Sequence, residues 1–162
     1  SYAWMYGCAK MGMHYVAFGP KVLADQLDKE TMKRVYEVAE YTGAKIEISD
    51  NIDCVKGADV IYTDIWASMG EESLIPERVK LLTPYKVTME LLKATENEDI
   101  RFMHCLPSFH DFETKLAKEQ MEQGYDMREV TDDVFRSRYS VVFDEAENRL
   151  HTIKAVIVAT IA

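Results

Sequence analysis

The chain has 162 residues, 48% of them hydrophobic, which suits one domain with a buried core and excludes a disordered segment. Seven glycines and four prolines exclude a collagen-like or low-complexity chain. Nineteen Lys and Arg against 28 Asp and Glu leave a net charge of −9, which argues against a nucleic-acid surface, so any anionic substrate must be held by local groups.

In chain order, the pattern predicts a helix over Tyr2 to Met11, then a short strand over Val16 to Phe18, bounded by Gly12 and Gly19-Pro20. From Asp28 to Gly43 the apolar residues Met32, Val35, Tyr36 and Ala39 fall at i, i+3, i+4 and i+7, one face of a helix with Asp28 as its cap and Gly43 as its stop. Lys45 to Ser49 alternates as a strand, a short helix follows around Ile52 to Lys56, and Val60 to Ile65 is a third strand. Pro76 to Leu82 reads as a helix with its proline in the first turn, Tyr85 to Val87 as a brief strand, and Met89 to Ala94 as a helix. Ile100 to Cys105 is a strand stopped by Pro107, Thr114 to Gln123 is helical and Arg128 to Thr131 is extended. A closing helix from about Asn148 to Ile161 turns Leu150, Ile153, Val156, Ile157 and Thr160 or Ile161 inward.

Strands alternating with helices indicate a single α/β domain over residues 1–162, with a mainly parallel sheet and helices on both faces. No apolar run approaches the roughly 18 residues of a membrane helix. The first residues have neither the basic leader nor the cleavage pattern of a signal peptide. Cys8, Cys54 and Cys105 are odd in number and form no C-x-x-C pair, so neither a disulfide framework nor a zinc site is expected and a cytoplasmic setting fits.

Ligands of open parallel sheets bind beyond the carboxyl ends of the strands. Two polar segments lie there, Asp64-Ile65-Trp66-Ala67-Ser68-Met69-Gly70-Glu71 and His104-Cys105-Leu106-Pro107. Asp64 reads either as a turn residue or as an anchor for an ammonium group. Ser68, Cys105 and His104 each have an ordinary structural reading as well. Neighbours on a strand point to opposite faces, so His104 is badly placed to activate Cys105, which weakens a thiol-protease reading. His110-Asp111 forms a further polar pair without an assigned role, and the four scattered histidines suggest no metal site. Arg149 falls in the first turn of the closing helix, behind Asp144, Glu145 and Glu147, where it either pairs with an acid or joins the helix N-terminus in meeting an anion. No G-x-G-x-x-G follows a strand, which discourages a nicotinamide-dependent dehydrogenase.

These segments, with Ala9-Lys10-Met11-Gly12-Met13, Met89-Glu90-Leu91-Leu92, Phe109-His110-Asp111 and the run from Phe143 to Val156, resemble the ornithine-binding domain of the ornithine carbamoyltransferases, in family order along the whole chain. The resemblance implies a Rossmann-like three-layer α/β sandwich with a mainly parallel sheet, here without the family's first strand and its asparagine-bearing turn. It implies transfer of carbamoyl from carbamoyl phosphate to the δ-amine of ornithine, with no metal or organic cofactor. Asp64, Ser68 and Met69 match the residues that hold ornithine, Cys105 and Leu106 those that line the reacting centre and contact carbamoyl phosphate, and Arg149 the arginine that binds it. Cys105 and Arg149 are thereby the catalytic candidates. The implied partner is a carbamoyl phosphate domain, whose Ser-Thr-Arg-Thr loop does not occur here, and homo-oligomerisation is left open. A binding or scaffold domain that kept these residues after losing catalysis is the alternative.

Overall fold

The structure is a computed structural model and describes residues 2–68 and 70–161. The chain divides into two compact units, Ser1–Val55 and Lys56–Ala162, each with its own parallel strand pair.

The first unit contains α1 (Tyr2–Lys10), β1 (His14–Phe18), α2 (Lys21–Ala24), α3 (Lys29–Thr42) and β2 (Lys45–Ser49). Asp28 caps α3 by accepting the Thr31 N–H at 2.7 Å, and Gly43 ends it at a φ of +80°, a left-handed conformation glycine adopts without a Cβ penalty. Met32, Val35 and Ala39 of α3 are buried with Met5 and Ala9 of α1, which makes the core of this unit. Tyr36, expected on the same face, is 46% exposed, because the buried stripe follows i, i+3 and i+7 and leaves i+4 at its margin. β1 and β2 run parallel with Val16 opposite Glu47.

The second unit contains β3 (Val60–Thr63), α4 (Ile75–Leu82), α5 (Met89–Ala94), β4 (Arg101–His104), α6 (Lys115–Glu122), α7 (Asp132–Phe135) and α8 (Val142–Ile161). β3 and β4 are parallel, in a register that sets Thr63 opposite His104. Phe102 is fully buried in β4, and its backbone also pairs with the following segment through the Tyr139 carbonyl and the Val141 N–H. Thr88 and Thr114 cap α5 and α6 by accepting the N–H groups of Leu91 and Ala117. The brief strand expected over Tyr85 to Val87 is a 3-10 turn over Thr83–Tyr85 followed by a single parallel bridge from Val87 to Val130.

The architecture is α/β with parallel strands, as expected, although hydrogen bonds group the strands into two pairs and not into one sheet. The closing helix departs most from expectation. It begins at Val142, six residues before Asn148, because Asp144 and Glu145 favour a first turn in which the dipole welcomes acids. Its predicted inner face is also not inward: Leu150, Ile153, Val156, Ile157, Thr160 and Ile161 are all exposed, Val156 by 61%. Burial of α8 ends at Val142 and half-buried Glu145, so beyond them the apolar period meets no other element among the described residues. Among those residues no helix is long and apolar enough to cross a membrane.

Candidate active site

Parallel register brings the two polar segments together. Thr63 and His104 are paired strand ends, so Asp64 and Cys105 leave the same rim side by side. The Cys105 thiol donates to Asp64 Oδ1 at 3.0 Å, and the same oxygen accepts the Ile65 N–H at 2.8 Å. Partial burial, then the hydrogen bond to Asp64, pushes the Cys105 thiol up, while a bond to Tyr62 acts against them. A thiol kept protonated is a hydrogen-bond donor and a poor nucleophile, so the site is not arranged for covalent thiol chemistry.

His104 lies on the buried face of β4, and its Nδ1 accepts the Leu106 N–H at 3.0 Å. That bond leaves the ring proton on Nε2, which lies 2.9 Å from Glu129 Oε1 but out of line for a hydrogen bond. His104 is thus a buried structural histidine, and Cys105, next to it, points outward. Leu106 stands at a φ of +44°, a left-handed conformation unfavourable for leucine. Glu129 Oε1 also accepts from Ser108 Oγ at 2.8 Å and from the Phe109 N–H at 2.7 Å. Sequence reasoning missed Glu129. Alternation in its extended run does not mark it, since Glu129 and its neighbour Val130 are both fully buried.

Glu145 Oε2, in the first turn of α8, accepts the His104 N–H at 2.9 Å, and burial holds its carboxyl above the usual carboxylate range against that bond. Arg149 follows at i+4, roughly 6 Å further along the same side of the helix. It therefore lies two turns into α8 and not in the first turn, so the helix N-terminus does not assist it. Its exposed guanidinium makes no ion pair with Asp144 or Glu145 among the described residues.

Ser68 is exposed in the loop after β3, where its N–H donates to Glu71 Oε2 at 3.1 Å; among the described residues no hydrogen bond joins it to Asp64. Met69 lies outside the described residues. Gly70, at a φ of +88°, donates to Glu72 Oε1, and this bond together with Glu72's own backbone N–H holds the Glu72 carboxyl below its ordinary range. His110, Asp111 and Asp132 bring metal-type donor atoms within 4.8 Å of one another. Asp132 is already bonded to His110 Nδ1 at 2.7 Å and to Arg136 Nε at 2.9 Å, and His110 stacks on Phe135 at 3.7 Å. Concavities of about 530 Å³ along α3 and about 420 Å³ beside Leu92, Asn97 and Tyr139 contain none of the residues at the rim.

The family model for the aspartate/ornithine carbamoyltransferase Asp/Orn binding domain matches residues 1–160. The chain belongs to this family. It is 64% identical to the catabolic ornithine carbamoyltransferase of Clostridium perfringens strain 13 over 99% of its own length and 49% of that protein's. With the ornithine carbamoyltransferase of Limosilactobacillus reuteri it shares 52% identity over 99% of this chain and 48% of that one. The solved ornithine carbamoyltransferase of Pyrococcus furiosus superposes with a TM-score of 0.76 at 38% identity, over 96% of this chain and 44% of that one. The chain thus spans about half the length of the curated relatives it matches.

Proposed function

We propose that residues 1–162 form one ornithine-binding domain of an ornithine carbamoyltransferase, which joins carbamoyl to the ornithine δ-amine and releases phosphate in the cytoplasm. The observation that carries this reading is the contact between the Cys105 thiol and Asp64 at the shared strand ends, with Arg149 one helical turn beyond the residue that fastens the same loop. The identity to ornithine carbamoyltransferases supports ornithine over aspartate as the acceptor.

In this reading Asp64 and Ser68 take the α-amino end of ornithine, with Met69 beside them. A side-chain amine of pKa about 10.4 is almost wholly protonated at neutral pH, so removal from water must favour the neutral form that attacks the carbonyl carbon. A C–N bond forms, the amine gives up a proton, and the bond from carbon to the phosphate oxygen breaks. Negative charge grows on the carbonyl oxygen and on departing phosphate. Arg149 and the backbone around Leu106 meet it electrostatically, and Cys105 lines the reacting centre as a donor. No step calls for a metal or an organic cofactor.

Both reactants must be held in near-attack geometry, and a carbamoyl phosphate domain supplies the other half of that geometry. Calorimetric titration with ornithine tests the binding half: Asp64→Ala should abolish the heat seen with the unaltered chain, and equal heats would remove Asp64 as an anchor. Citrulline formation should be negligible for these 162 residues alone. A turnover in the usual enzymatic range, roughly 1–1000 per second, would refute the division of labour.

A further inference from the structure

We propose that Glu129 is a positioning residue, a buried carboxylate that clamps the 104–109 loop and so sets where Cys105 and the Leu106 backbone stand at the rim. What the loop presents to substrate rests on the carbamoyltransferase reading; the clamp itself does not.

Glu129 is fully buried, and the contacts of its Oε1 all go to this loop. His104 Nε2 lies at one end of the loop at 2.9 Å, and Ser108 Oγ and the Phe109 N–H bond at the other end at 2.8 and 2.7 Å. Between the His104 approach and the two hydrogen bonds lie Cys105, Leu106 and Pro107. Leu106 carries a positive φ, which persists only where the surroundings over-determine it. His104 contributes from within the loop, because its Nδ1 takes the Leu106 N–H.

Glu129 is itself fixed on both sides. Its carbonyl accepts the Val87 N–H at 2.9 Å, and Val130 forms the parallel bridge to Val87. A fully buried carboxylate is costly, and an apolar side chain of similar volume would fill the space with a smaller penalty. Charge-assisted bonds to a hydroxyl and a backbone N–H are what an apolar residue cannot give. Glu129 Oε2 has no hydrogen-bond partner among the described residues, so the carboxylate's bonds are directed to the loop.

The test uses the 162-residue chain and four variants, Glu129→Ala, Glu129→Gln, Glu129→Asp and the neighbouring core change Val130→Ala. Site-resolved alkylation of Cys105 by iodoacetamide and amide hydrogen exchange at Phe109 are read against exchange at Phe102, which lies in the strand beneath. Freed from Asp64, the thiol ionises more readily, so Glu129→Ala should speed Cys105 alkylation roughly tenfold, with Phe109 exchange rising at least as much relative to Phe102. Glu129→Gln, which keeps an acceptor oxygen, should stay within about threefold of the unaltered chain, and Glu129→Asp should fall between the two. Val130→Ala should shift all the amides together.

The proposal is overturned if Glu129→Ala moves Cys105 and Phe109 no further than Val130→Ala does. Should the alanine variant not fold, an aspartate variant with unaltered Cys105 and Phe109 rates overturns it equally. Failure of the unaltered chain to bind ornithine would sink the carbamoyltransferase reading and leave these rates as they are.

Discussion

After β4 the chain is fastened from beneath, and after β3 it is fastened mostly to its own neighbours. The 104–109 loop leaves a strand whose Phe102 and His104 are fully buried, and buried or half-buried acids from two other segments, Glu129 and Glu145, hold it. The loop after β3 leaves a strand with no fully buried residue; Asp64 takes the Cys105 thiol and Trp66 lies beneath Lys86, while its other bonds are local: Asp64 to its own neighbour, Ser68 to Glu71 and Gly70 to Glu72. One loop is set in advance and the other is free to settle. A small, rigid anion is best met by donors set in advance, whereas a long, flexible amino acid can be received by a loop that settles around it at little cost.

The contrast breaks first at the strands. Phe102→Ala should lower the unfolding free energy by about 3–5 kcal/mol in urea titration, while Ile61→Ala, at the paired but half-buried position of β3, should cost about 1–2 kcal/mol. Equal losses would mean that the two strands support their loops alike. Next, Ser108→Ala removes one of the two hydrogen bonds received by Glu129 Oε1 and should cost about 1 kcal/mol by the same titration, with faster Phe109 exchange. Gly70→Ala meets open space but a positive φ, so it should cost at most about 1 kcal/mol and leave Phe109 exchange untouched.

The smallest effect concerns pH. The Glu145 carboxyl is held above its unfolded value, so its contribution to stability is present at low pH and fades as pH rises through its folded pKa. Glu145→Gln should therefore flatten the dependence of the melting temperature on pH just above the ordinary carboxylate range. A variant whose melting curve keeps the original slope would show that Glu145 does not titrate in this sense.

Regular elements were legible wherever local signals agreed with one another. α3 has a cap, a stripe and a glycine stop, and β2 was read to the residue from its alternation. The meeting of Asp64 with Cys105 was legible too, because parallel neighbouring strands deliver their carboxyl-terminal loops to one rim. The start of α8 was not, since Val141, Val142 and Phe143 form an apolar run that fits strand or helix equally. Its exposed stripe shows the limit of periodicity, which marks an apolar side without naming what covers it. Glu129 was invisible for a related reason: an acid in an extended run gives no sign that it is inward until the loop that uses it is in place.

One feature of α8 reaches further than its own length. Glu145 and Arg149 ride on a single shaft, about 40° apart in rotation, so the grip on the His104 N–H also sets the bearing of the guanidinium. Inserting one residue between them would swing Arg149 through about 100° of arc relative to that grip, with every side chain still present. The spacing of these two residues is geared as tightly as their identity.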